Sequence, residues 1–147
     1  MRLSDHFTLD ELTRSATAVR LGIDNTPPEA AIARLQALCV QVLEPIRAHF
    51  GLVIVDSGYR CAELNKAVRG SVASQHLQGE AADIVIPGVS ALDVCRWIRD
   101  RSGITYDQLI QEGRWTHISL AARANRHSVL TARFGAGGVA YEKGLHA

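Results

Sequence analysis

Apolar residues recur three or four apart at Ile32, Leu35, Leu38, Cys39, Val42 and Ile46, the spacing of one helix face turned to a core. The pattern predicts a helix ending near His49, and Thr26 with Glu29, with Pro27 as the first helical residue, predicts its start. A similar box, Thr8 with Glu11, predicts a shorter helix over LDELTRS. Between the two, LGIDNTPP has the composition of a turn or loop. LVIVDS is short and rich in β-branched residues, which predicts a buried strand. CAELNKAV reads as a brief helix after SGYR, RGSVASQHLQG as a polar loop, and AADIVIPG as a strand stopped by Pro87. Ser90 is placed to cap a helix over ALDVCRWIRDR, with Leu92, Cys95, Trp97 and Ile98 directed inward. YDQLIQ and RWTHISLAA follow as strands separated by Gly113, and SVLTARF as a last strand before GAGGVAYEKGLHA. Helices precede strands arranged around one central helix. The expected fold class is therefore α+β, a single domain over residues 1–134 with an antiparallel or mixed sheet. Residues 135–147 are expected to form a mobile, glycine-rich tail.

Composition narrows the picture mainly by exclusion. The 147 residues suffice for one domain with a real core, and 47% hydrophobic with 21% charged is ordinary for a globular protein. A formal net charge of +1 announces neither a nucleic-acid nor a membrane partner. No apolar run approaches the roughly 18 residues needed to span a bilayer. MRLSDHFTLDELTR lacks the apolar segment of a secretory signal, so synthesis in the cytoplasm is expected. Cys39, Cys61 and Cys95 are odd in number and show no CxxC spacing, which points to buried thiols rather than a disulfide frame or cysteine zinc site.

Chemistry concentrates at His76, Asp83 and His117, which fall at predicted strand edges. Zinc takes neutral imidazole nitrogen and carboxylate oxygen, and catalytic sites use three protein ligands with one position open. A chain folding back at Gly79 brings His76 toward Asp83, while His117 has to come from another strand. By spacing alone, a capping aspartate beside a surface histidine is the simpler reading.

The surrounding residues add a family resemblance. Ser74, His76, Gly79, Ala81 and Asp83 spell SxHxxGxAxD, with SGYR at 57–60 upstream and WTHIS at 115–119 downstream. These motifs, in this order, resemble those of the zinc D-Ala-D-Ala metallopeptidases, which share the Hedgehog/DD-peptidase fold. HFTLDEL and LEPIR resemble the small, phage-associated branch, so the likeness runs from about residue 4 to residue 120. It implies one zinc per chain held by His76, Asp83 and His117, with water in the fourth position and its pKa lowered toward ~7. It implies that Arg60 stabilises charge on the scissile carbonyl oxygen and that Ser74 hydrogen-bonds the substrate. The implied activity is hydrolysis of peptidoglycan stem peptides containing D-amino acids, as a D-Ala-D-Ala carboxypeptidase or an L-Ala-D-Glu-type endopeptidase. A monomeric, phage- or prophage-encoded protein acting on the cell wall after release or delivery fits that activity.

The likeness breaks at one position. Several family members carry a carboxylate three residues before the last histidine as general base; here that residue is Arg114. Glu112 is the nearest replacement, five residues before His117, with Asp107 the weaker candidate. An odd offset puts two side chains on opposite faces of a regular strand, so Glu112 serves only if a bulge or hairpin turn intervenes at Gly113. The displaced base also sustains an alternative, a non-catalytic zinc-binding module or virion component docking on peptidoglycan.

Overall fold

The computed structural model describes residues 1–147. Thr8 caps α1 (Leu9–Thr13): its hydroxyl accepts the Glu11 N–H while the Glu11 carboxylate accepts the Thr8 N–H. An additional helix follows, α2 (Ala16–Leu21), with Ser15 as N-cap and Gly22 closing it in the left-handed conformation. The next helix starts later than its box predicts. Thr26 donates its N–H and hydroxyl to Asp24 Oδ1 instead of meeting Glu29, and α3 (Glu29–Leu38) begins after Pro28. A residue preceding proline is disfavoured in the helical region, and both Thr26 and Pro27 precede one. A π-helical turn, Cys39–Leu43, joins α3 to α4 (Glu44–Phe50), so the apolar stripe ends where the periodicity predicts. Leu35, Leu38, Cys39, Val42 and Ile46 are fully buried along it.

Six strands form one sheet, in the order β1 (Ile54–Ser57), β2 (Ala81–Val85), β4 (Trp115–Ser119), β3 (Gln108–Glu112), β5 (Ser128–Gly135), β6 (Gly138–Lys143). Neighbours are antiparallel except β3 and β5, which run parallel, so the sheet is mixed. The fold is α+β, with helices packed on the sheet. β6 lies inside the stretch expected as a tail. Its glycines make a tight turn in which Gly135 pairs with Gly138, and the chain then returns along β5.

Because side chains alternate across a strand, the sheet divides the chain's chemistry in two. Ala82, Ile84, Leu109 and Ile118 point to the back, are at most 1% exposed, and pack in the core with the α3–α4 stripe. Between β2 and β3, α6 (Ala91–Asp100) is capped by Ser90 and adds Val94, Cys95 and Ile98. Ala91, Val94, Cys95 and Ile98 form its buried face, while Leu92 and Trp97 flank that face and are only half-buried. Trp97 instead stacks on His49 with ring centroids 4.1 Å apart. Burial pushes the Cys39 and Cys95 thiols up to about 12, as expected of apolar core residues. No helix is long and apolar enough to cross a membrane. The front of the sheet is polar and open.

Candidate active site

One row of the front face carries the centre. Asp83 on β2 pairs with His117 on β4, so both side chains project forward side by side. His76 arrives from outside the sheet, on a 3₁₀ turn (Gln75–Gln78) that Ser74 caps and Gly79 closes. Gly79 has φ +75°, and a Cβ there would lie 2.6 Å from the Ala31 carbonyl oxygen. Only glycine suits both the left-handed backbone and the close approach of α3. The reversal predicted from the sequence is therefore made at this residue. One ligand atom from each of His76, Asp83 and His117 lies within 4.8 Å of the others, and all three residues are buried.

Hydrogen bonds set the donor set's chemistry. His76 Nδ1 donates to the Gly58 carbonyl oxygen at 2.6 Å. A carbonyl can only accept, so Nδ1 holds the proton and Nε2 presents its lone pair, 3.4 Å from Asp83 Oδ2. His117 Nδ1 lies 2.9 Å from Asp83 Oδ1. Burial lowers the His76 pKa, which keeps the ring neutral and able to ligate, although Asp83 pulls the other way. Burial alone would raise Asp83; the hydrogen bond with His117 and the nearness of the His76 ring outweigh it and hold the carboxyl below its usual range. A neutral His76 imidazole whose tautomer the Gly58 carbonyl fixes, a second imidazole from His117 and an ionised Asp83 carboxylate fit a zinc ion's requirements.

Arg60 is fixed by features the sequence motifs do not spell out. A bulge in β1 between Val55 and Ser57 shifts the register so that Ser57, rather than Asp56, faces Asp83. The Ser57 hydroxyl accepts from Arg60 Nε at 3.1 Å, and Asn65 Oδ1 accepts from Arg60 Nη1 at 3.0 Å. Arg60 Nη2 then lies 3.5 Å from Asp83 Oδ2. Asn65 is 4% exposed on α5 (Ala62–Ala67) and also donates to the Ser71 carbonyl. Gly70 makes room for this group: a Cβ there would lie 2.1 Å from Asn65 Oδ1. The Arg60 N–H donates to the His76 carbonyl, which ties the arginine motif to the histidine turn.

Glu112 reaches the centre through a hairpin. Glu112 pairs with Trp115 across a two-residue turn, Gly113–Arg114, whose first residue has φ +69°. The turn inverts strand parity, so Glu112, Trp115 and His117 share the front face despite the odd offset. Glu112 Oε1 stands 3.9 Å from His117 Nδ1. Burial raises the Glu112 carboxyl above its ordinary value, with His117 opposing and Asp83 reinforcing the shift. Arg114 is exposed at the turn. Asp107 does not join the centre; both its oxygens bind the Arg126 guanidinium. Ser74 lines the same cleft, its hydroxyl accepting the His76 N–H at 3.2 Å.

These groups open into a cleft of about 760 Å³ along the front of the sheet. Its wall includes residues that no motif marks: Gln75, Arg123, Arg126 and, from β6, Tyr141. Gln75 opens the 3₁₀ turn, Arg123 and Arg126 lie in the loop after β4, and Tyr141 belongs to the stretch with tail-like composition. A second cleft, lined by Ser15, Thr17 and Asp56 among others, shares Arg60, Asp83 and Trp115 with the first.

Among curated proteins, none matches the chain. A family model described as peptidase M15 matches residues 5–119, a span containing all three motifs and every residue of the centre. By that match, joined to a cluster able to hold a metal, the chain belongs to the peptidase M15 family of zinc D-Ala-D-Ala metallopeptidases.

Proposed function

We propose that this protein is a zinc-dependent peptidase that cuts peptidoglycan stem peptides containing D-amino acids. The observation that carries the proposal is the convergence of Arg60 and Glu112 on the His76–Asp83–His117 cluster in one open cleft. A protein that merely held a metal would need neither group. This convergence favours the enzyme over a non-catalytic zinc module or a docking component.

His76, Asp83 and His117 would hold one zinc ion, which when bound supplies a Lewis acid and lowers the pKa of water into the neutral range. Glu112 takes the proton of the attacking water. Its raised pKa makes it a better base than an exposed carboxylate and a competent acid toward the departing amine. Arg60, held by Ser57 and Asn65, places fixed N–H donors where negative charge develops on the carbonyl oxygen. Ser74, at the mouth of the histidine turn, offers a hydroxyl to the substrate backbone.

Of the two activities the sequence leaves open, the clefts support an endopeptidase. One is lined from β3, β5 and β6 and the other from β1 and α2, on opposite sides of β2 and β4 in the sheet order. Both include Arg60, Asp83 and Trp115, an arrangement that would let a peptide continue past the reacting bond on either side. A carboxypeptidase would close one of those directions. Action on the cell wall after release from a phage-infected cell is consistent with this reading. Incubation with purified peptidoglycan and zinc, followed by mass spectrometry, should show peptides cut internally. Release of single D-alanine residues alone would overturn the endopeptidase assignment, and no fragments at all would overturn the peptidase.

A further inference from the structure

Two buried carboxylates outside the metal cluster have no part in the chemistry above. Glu80 and Asp107 are each 1% exposed, and each holds an arginine from the loop after β4. Asp107 accepts Arg126 Nε at 3.0 Å, Arg126 Nη2 at 2.8 Å and the Arg126 backbone N–H at 2.9 Å. Glu80 accepts the Ala122 N–H at 3.1 Å and lies 3.5 Å from Arg123 Nη1. Both arginine side chains remain more than 60% exposed, at 62% and 67%, and both line the cleft.

The tether does more than fasten a loop. The backbone N–H bonds of Arg126 to Asp107 and of Ala122 to Glu80 already anchor the loop, so the side-chain fork is not needed to hold it. The fork on Asp107 uses one edge of the Arg126 guanidinium, Nε with Nη2. The outer edge, Nη1 with the second N–H of Nη2, is left for another acceptor. Its orientation is fixed before any ligand arrives, so less side-chain entropy is lost on binding. A planar fork with one free edge matches a carboxylate in two-point geometry.

Position completes the argument. Asp107 directly precedes β3, three residues before Ile110, which pairs with His117. Three strand residues span about 10 Å, the reach of two or three residues of an extended peptide lying in the cleft. The cleft wall carries Arg60, Arg69, Arg123 and Arg126 against the acids Asp83 and Glu112.

We infer that Arg126, positioned by Asp107 and supported by Arg123, forms a subsite for a substrate carboxylate two or three residues from the cleaved bond. The inference rests on the peptidase reading and deepens it: the enzyme would distinguish stem peptides with that carboxylate free from those with it amidated. Atoms and charges of the cleavage step are unaffected, since the subsite binds and does not react.

The test uses zinc-loaded protein and pairs of synthetic stem peptides that differ only by carboxylate or carboxamide at one position near the cleaved bond. Wild type should prefer one carboxylate peptide by about 10- to 100-fold in kcat/KM, mainly through KM, the range of a charge-assisted hydrogen-bond pair. Arg126→Gln should bring that ratio below about 3-fold. Asp107→Asn, which keeps the Arg126 charge but loosens its hold, should give an intermediate ratio. Arg133→Gln, on β5 and paired with Glu142, should keep the wild-type ratio. A wild-type ratio in well-folded Arg126→Gln overturns the subsite. Where Arg126→Gln fails to fold by circular dichroism, Arg126→Lys takes its place, and an undiminished ratio in it and in Asp107→Asn is equally fatal. Absence of any cleavage by wild type strikes the peptidase reading instead. The subsite is then judged by fluorescence anisotropy of the same peptides, where equal binding of both members of every pair overturns it.

Discussion

Replacing Glu112 with glutamine separates chemistry from architecture more cleanly than any other change at this site. Glutamine has the same shape, and the side chain sits mostly buried with Oε1 3.9 Å from His117 Nδ1, so the cleft wall is preserved. What disappears is the ability to take a proton. Loss of a positioned general base slows turnover by roughly 100- to 10,000-fold, equivalent to about 3–5 kcal/mol of barrier. Stability should move the other way. Burial raises the Glu112 pKa, so the folded state binds this proton more tightly than the unfolded state does. As pH rises past the unfolded value the ionised carboxylate therefore counts against folding, and a neutral amide removes that penalty. Metal-free Glu112→Gln should melt at or above the wild-type temperature at pH 7 while the zinc-loaded variant releases few peptidoglycan fragments. Glu142→Gln, on exposed β6, serves as the control for a carboxylate-to-amide change outside the cleft. Wild-type turnover in Glu112→Gln would refute the base assignment. Lost turnover accompanied by a melt several degrees lower would make Glu112 a structural residue instead.

His76→Ala and His117→Ala should each abolish stoichiometric zinc, measured by elemental analysis of dialysed protein; full zinc in either removes that histidine from the ligand set. Arg60→Ala should retain zinc but lose about 100- to 1000-fold in turnover, the usual effect of removing one oxyanion donor, and an unchanged rate would return Arg60 to a purely structural role. Gly79→Ala forces a left-handed backbone on alanine and sets its Cβ 2.6 Å from the Ala31 carbonyl. A loss of about 2 kcal/mol or more, seen as a melting temperature lower by roughly 5 °C, is expected, and an unchanged melt would contradict the close approach. Asp107 is held below its ordinary value by hydrogen bonds from Arg126. Its contribution to stability is therefore complete above the unfolded carboxyl value of about 3.9 and fades as pH falls through the lower folded value. Asp107→Asn should weaken the fold at pH 7 more than at pH 2 in urea titrations, and an equal loss at both would deny the coupling.

Elements with local signals can be read from short stretches of the chain. The Thr8–Glu11 box, the apolar stripe from Ile32 to Ile46, the Ser90 cap and the short β-branched strands need only neighbouring residues to be legible. The three residues that form the cluster able to hold a metal were legible as well, through motifs whose residue types suit zinc. The tertiary structure decided whatever depends on pairing and on approach between distant segments. Hairpin register put Glu112 on the face of His117, although counting along a single strand opposes it. The β1 bulge chose Ser57 over Asp56 to face Asp83, and α3 passing behind Gly79 required a glycine at that reversal. Pairing with β5 made a strand from residues whose composition reads as a tail, and so brought Tyr141 to the cleft. The Asp107–Arg126 fork joins two segments of unremarkable sequence. Residue identity fixes what chemistry a chain can offer and which local turns it prefers, but a site is a set of distances between segments. Those distances are settled when the sheet closes its hydrogen bonds over a buried apolar face.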